Sequence, residues 1–153
     1  MKLLYALVIP LAVGLAAALF TARGVHGWYL HLHKPPFTPP DWIFAPVWTL
    51  LYILMGIGLY LVWKLPEGTR LRRVSLLVFG VQLGLNFCWS LIFFVGHDPG
   101  LALVDISMLW LTILVMIVSF IQVREAAGLL QVPYVLWVSF ATVLNYSIWD
   151  LNH

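Results

Sequence analysis

The sequence predicts an all-α integral membrane protein, a five-helix transmembrane bundle that forms a single domain over residues 1–153. Three observations carry this expectation. Hydrophobic residues make up 63% of the chain and charged residues only 9%, against roughly 25% charged in a soluble domain, so water is the wrong solvent for its surface. Five apolar runs reach the length of about 20 residues that crosses a bilayer as a helix. No alternating strand pattern that could close a barrel is present, which leaves helices to satisfy the backbone in lipid.

The first run, Leu3 to Ala22, follows Lys2 and ends in small residues, as a signal peptide does. Signal cores span about 7–15 residues, whereas this run is longer and holds Pro10 and Gly14, so a retained helix is expected. Arg23 to Asp41 is polar, aromatic and rich in proline (Pro35, Pro36, Pro39, Pro40), and long loops in compact folds are usually functional. The second run, Trp42 to Trp63, puts Trp48, Tyr52 and Met55 on one helical face. Lys64 to Arg73 then brings Lys64, Arg70, Arg72 and Arg73. The third run is Val74 to Val95, the fourth Leu101 to Gln122 and the fifth Leu129 to Trp149, with tight turns at His97–Gly100 and Val123–Gly128. The N-terminus, second loop and fourth loop hold most of the basic residues, while the opposite side holds Arg23 and Lys34. Positive-inside therefore places the N-terminus in the cytoplasm and the proline-rich loop outside.

Polar residues inside a bilayer must face protein or a cavity. On the third helix Gln82, Asn86 and Ser90 recur every four residues as one polar row, extended by Trp89 and Phe93. Gly80 and Gly84 point the opposite way, about 200° around the helix. Such a Gly-x-x-x-Gly row lets helices approach closely, either in a homodimer or against a neighbour in the same chain. On the fourth helix Asp105, Thr112 and Ser119 share a face. Asp105 is either a functional intramembrane acid or a structural one favouring the helix N-terminus and reaching the interface.

Eight tryptophans are present. Trp28, Trp42, Trp63 and Trp149 sit at expected helix ends and fit an interfacial belt. Trp48, Trp89, Trp110 and Trp137 lie within spans, where a flat ring is either core packing or the wall of a site for a large, flat, apolar ligand. Trp137, Ala141 and Asn145 share a face of the last helix, pairing aromatic area with small and polar groups.

Other chemistries are excluded or unsupported. The net charge of +2 is too small, and the basic residues too scattered among apolar runs, for a nucleic-acid surface. The lone Cys88 permits neither an internal disulfide nor a cysteine metal cluster. His26, His31 and His33 could ligate a metal or haem iron, but their spacing matches no zinc pattern, and solvated loop histidines are the plainer reading. No metal site is expected. Phosphate-binding loops, nucleophile elbows and paired carboxylates are absent.

The segment WYLHLHKPPFTPPDWIFAPVWTLLYILMG, Trp28 to Gly56, resembles the tryptophan-rich sensory protein family, also called translocator protein or peripheral benzodiazepine receptor. The resemblance continues through QLGLNFCWSLIFF, ALVDISML and PYVLWVSFATVLNYSIW, so it covers essentially the whole chain. It implies a five-helix bundle with a pocket under the first loop that binds tetrapyrroles such as protoporphyrin or haem, sterol-like lipids, and benzodiazepine or isoquinoline drugs, commonly as a homodimer. The positions matching the family's ligand contacts are Tyr29, Trp48, Tyr52, Asn86, Trp89, Trp137, Ala141 and Leu144. A light-dependent oxidative breakdown of protoporphyrin, attributed to two pocket tryptophans in bacterial members, would fall to Trp48 and Trp137 as the catalytic pair; no cofactor is required for binding. The cholesterol-recognition stretch of animal members ends in a basic residue, whereas here Val143, Asn145 and Tyr146 lead to Asp150 with no Lys or Arg. That departure argues against steroid import, and the missing basic tail is in keeping with a bacterial cell membrane. Three functions are carried forward: tetrapyrrole receptor or carrier, light-dependent porphyrin-degrading enzyme, and proton-coupled transporter using Asp105. Against the last, the sequence shows no second intramembrane ionisable group and no internal repeat.

Overall fold

The computed structural model describes residues 1–153, helical in its regular structure and without strands. Five segments are long and apolar enough to cross a membrane. The helices are α1 (Lys2–His26), α2 (Phe44–Trp63), α3 (Arg70–Ser90), α4 (Pro99–Val123), the short α5 (Glu125–Leu129) and α6 (Val132–Asn152). The 25 residues of α1 rise about 38 Å at 1.5 Å each, more than the hydrocarbon core requires.

Element ends differ from the apolar runs for local reasons. α1 continues past Ala22 to His26, with Arg23 and His26 in its last turn, where cations suit the carbonyl end of a helix. The proline-rich connection is framed by two 3₁₀ turns, Trp28–His31 and Asp41–Ile43. α3 gives way after Ser90 to a π turn, Leu91–Val95, a widening that often marks functional sites. α4 starts at a built cap: the Asp98 carboxylate accepts from the Leu101 N–H at 2.9 Å and Pro99 opens the helix. The fifth span is split, because Arg124 is extended and α5 makes a short turn before Pro133 enters α6.

The bundle carries apolar side chains outside and polar ones within. Leu19, Phe20, Leu77, Leu111, Val118 and Leu136 are exposed, an area no soluble monomer leaves to water. Ser75, Gln82, Asn86, Asp105, Ser119, Gln131 and Asn145 are buried. α1 packs along α2, α3 along α4, and α4 along α6. Ser75 and Ser119 share a hydrogen bond between α3 and α4. α2 meets α6 through long side chains, Phe44 against Trp137 at 6.0 Å and Trp48 against Tyr134 at 6.4 Å between ring centres.

Gly80 and Gly84 lie on the outer face, and a Cβ added at either would meet no atom within 4 Å. Close packing within the chain therefore does not account for them. By contrast, a Cβ on Gly24 would strike the Phe94 backbone, so glycine there lets α1 lie against the π turn.

Candidate functional site

The polar row of α3 organises the bundle's centre. Tyr52 Oη donates to Asn86 Oδ1 at 2.9 Å, Asn86 Nδ2 donates to Tyr134 Oη at 2.8 Å, and Tyr134 Oη donates to Gln82 Oε1 at 2.7 Å. Gln82 Nε2 then lies 3.8 Å from Met55 Sδ. This chain crosses α2, α3 and α6, and it satisfies groups that would each cost about 1–3 kcal/mol if buried alone. Nearer the proline-rich loop, Trp89 Nε1 donates to Asn145 Oδ1 and Asn145 Nδ2 donates to the Pro99 carbonyl, both at 2.9 Å. That pair ties the end of α3 to α6 and to the start of α4.

Above this floor lies a cavity of about 500 Å³ between the second half of α1 and the first half of α2, closed on one side by the 3₁₀ turn and the end of α3. One wall is small-residue backbone from α1: Gly14, Ala17, Ala18, Thr21, Ala22 and Val25. The facing wall is aromatic: Tyr29, Phe44, Trp48, Tyr52, Trp89 and Phe94. His26, Asp41 and Trp42 stand at its rim, Trp42 being 74% exposed. Ala18, Ala22 and Ala45 are also exposed, so the cavity opens at the side of the bundle. A much smaller void of about 30 Å³ adjoins it, sharing Tyr29, Phe44, Trp48, Trp89 and Phe94 and adding Trp137, Ala141, Leu144 and Asn145.

Among the residues the resemblance implicates, Tyr29, Trp48 and Trp89 line both spaces and Tyr52 lines the larger. Trp137, Ala141 and Leu144 line only the smaller. Asn86 lines neither; both ends of its amide are taken by Tyr52 and Tyr134 within the floor. Trp110 belongs elsewhere, its Nε1 donating to Ser139 Oγ at 2.7 Å between α4 and α6. Asp105 is buried at 6% exposure, lines neither space, and its Oδ2 has no hydrogen-bond partner. It is the seventh residue of α4, less than two turns from the helix start.

Sequence reading did not find the α1 wall. Its signal is a row of small residues at helical spacing, Gly14, Ala18, Thr21 and Val25, which becomes meaningful only once a partner helix is seen to stand off from it. Phe44, Phe94 and His26 were likewise missed as lining residues.

Three buried donors have no partner in the chain: Tyr29 Oη, Arg72 Nε and Trp137 Nε1. Tyr29 lines both spaces and Trp137 the smaller one, whereas Arg72 lines neither. No three His, Cys, Asp or Glu gather to hold a metal ion. Flat aromatic faces, a smooth aliphatic wall and a few free donors suit a planar apolar molecule carrying hydrogen-bond acceptors.

The sequence profile of the TspO/MBR family matches residues 6–150. The chain is 43% identical over 154 residues to the tryptophan-rich protein TspO of Archaeoglobus fulgidus, covering 99% of this chain and 97% of that one. It is 44% identical over 146 residues to the protein of the same name in Chlorobaculum tepidum (93% and 90% covered). Similarity extends to the human translocator protein, 42% over 137 residues (86% and 81% covered).

Proposed function

The chain belongs to the TspO/MBR family of integral membrane proteins, and from that premise we propose that it is a membrane receptor or carrier for tetrapyrroles and other flat apolar molecules, which it holds in the cavity between α1 and α2. The observation that carries this reading is the lining of the cavity. Six aromatic rings face a wall of small residues, with Tyr29, whose Oη is unpaired, in the same lining and Trp137 in the adjoining smaller void. Sterol-like lipids and isoquinoline or benzodiazepine drugs, which are also largely apolar with few polar groups, are carried as further ligands of the same cavity. The protein acts as a homodimer joined through the Gly80–Gly84 face, which nothing in its own chain covers. It resides in a bacterial cell membrane with its N-terminus in the cytoplasm, as the basic residues of the N-terminus, second loop and fourth loop indicate.

A second reading has one specific observation in its favour. Trp48 lines both spaces and Trp137 lines the smaller one, so two indoles border the site proposed for the porphyrin. Under light, an excited porphyrin takes an electron from indole and passes it to dioxygen as superoxide, or passes its energy to dioxygen as singlet oxygen, and the activated oxygen oxidises the macrocycle. Proton-coupled transport finds no such support, since Asp105 lies outside both spaces.

The experiment is a protoporphyrin titration of the purified protein, read by tryptophan quenching in the dark and by porphyrin absorbance under light, for wild type and Trp137→Phe. Saturable dark binding supports the receptor. Loss of absorbance that needs light and Trp137 supports the enzyme. Absence of saturable binding removes the tetrapyrrole reading and redirects the search to lipids.

A further inference from the structure

Histidine is the side chain that most often ligates metals, and the site described above assigns a role to none of the five in this chain. The fold separates them sharply. His33 is held through its backbone, which exchanges hydrogen bonds with the Asn152 side chain at 3.0 and 2.7 Å. The His97 ring stacks on Trp28 at 4.6 Å between centres, and the His153 ring stacks on Trp149 at 4.6 Å. His31 lines neither cavity. His26 does line the larger one, from the last turn of α1, and its ring makes no hydrogen bond or ring stacking.

Within that lining His26 stands among flat rings, with Tyr29, Trp48 and Trp89 on the same cavity. A planar macrocycle held between those rings and the α1 wall presents its central metal along one axis. Neutral imidazole is the usual protein ligand for haem iron. No other His, and no Cys or Met, lines the cavity, so the chain supplies a single imidazole. Tyr29 is the one other lining residue whose side chain is of a type that ligates haem iron and whose hydroxyl is unpartnered.

We propose that the cavity takes a metalloporphyrin, with His26 as the one axial ligand that the chain gives to the metal; this rests on the tetrapyrrole reading of the same site. The second axial position is left to water or a small exogenous ligand. Metal-free and metal-bearing porphyrins are thereby distinguished by one residue at the rim, while the aromatic walls treat them alike.

The test uses the full chain in phospholipid nanodiscs, titrated in the dark with ferric haem and, in parallel, with metal-free protoporphyrin. Affinity is read by tryptophan quenching, and the haem complex by its Soret band and electron paramagnetic resonance. His26→Ala is expected to weaken haem binding by about tenfold or more, worth roughly 1.4 kcal/mol per decade, and to change the spectrum. The same variant should lose far less affinity for protoporphyrin than for haem, and its saturable protoporphyrin binding shows that it folds. Millimolar imidazole should restore the wild-type spectrum to His26→Ala, and His31→Ala should match wild type throughout.

Wild-type haem affinity and spectrum in His26→Ala would overturn the proposal while leaving the tetrapyrrole site standing. So would a haem spectrum that Tyr29→Phe abolishes and His26→Ala does not, since the ligand would then be the phenol. Failure of both porphyrins to saturate the wild-type protein removes the tetrapyrrole reading itself, and the axial ligand with it.

Discussion

Replacing Asn86 with leucine tests the hydrogen-bonded floor directly. The substitution removes the acceptor of Tyr52 Oη and one of the two partners of Tyr134 Oη, which keeps its bond to Gln82. A single interhelical hydrogen bond in a membrane bundle contributes about 0.6 kcal/mol on average and up to about 1.7. Tyr52 is only 7% exposed, and a stranded buried hydroxyl costs about 1–3 kcal/mol. Asn86→Leu should therefore destabilise the bundle by about 3 kcal/mol. Tyr52→Phe alone should cost about 1 kcal/mol, through the bond lost to Asn86. In the Asn86→Leu background, however, Tyr52→Phe should be neutral or stabilising, because it removes the stranded hydroxyl. The assay is equilibrium unfolding in mixed micelles with increasing sodium dodecyl sulfate, followed by circular dichroism, for the four proteins of the cycle. Equal cost of Tyr52→Phe in both backgrounds, to within about 0.5 kcal/mol, would refute the coupling. The same variants separate support from contact: Asn86 lines neither space, so its loss should weaken porphyrin binding less than Trp48→Ala does.

Three further outcomes follow from particular atoms. Gly80→Leu with Gly84→Leu should convert the proposed dimer to monomer in nanodiscs, by light scattering, with ligand affinity unchanged, since open space at both sites spares the fold; an unchanged oligomeric state would refute this interface. Asp105→Asn should leave porphyrin affinity within about twofold and not lower stability, because the lost charge is buried without a partner; a large loss of binding would tie Asp105 to the ligand. Trp137→Phe removes a donor that bonds to nothing in the chain, so it should cost less than about 1 kcal/mol in detergent unfolding while weakening binding of porphyrin; a strongly destabilised protein would mean the indole serves packing instead.

The five spans were legible because each is a run of apolar residues of membrane length, a signal that depends on composition and little on partners. The facing of α3 was equally legible: Gln82 and Asn86 are buried and Gly80 and Gly84 exposed, as their opposite positions on the helix required. Other features depend on neighbours and could not be read from one segment. The π turn at Leu91–Val95 looks in sequence like more apolar helix. Trp28, which the sequence places in an interfacial belt, packs edge-on to Phe93 at 5.4 Å and stacks on His97, contacts with no signal in its own segment. Trp110 and Trp137 are alike in sequence as tryptophans within spans, yet one finds Ser139 and the other finds no partner. The cavity itself is the space left where α1 presents alanine and glycine to the rings of α2, and no residue announces it alone.

The sideways opening past Ala18, Ala22 and Ala45 changes what an affinity for this protein means. A ligand entering there comes from among the acyl chains, where each buried methylene gains about 0.8 kcal/mol over water, so an apolar molecule scarce in the aqueous phase is abundant beside the opening. Occupancy then follows the ligand's mole fraction in the membrane. Adding empty liposomes at fixed total ligand should unload the protein, and dissociation constants measured at different lipid or detergent loads will agree only when expressed per volume of the apolar phase.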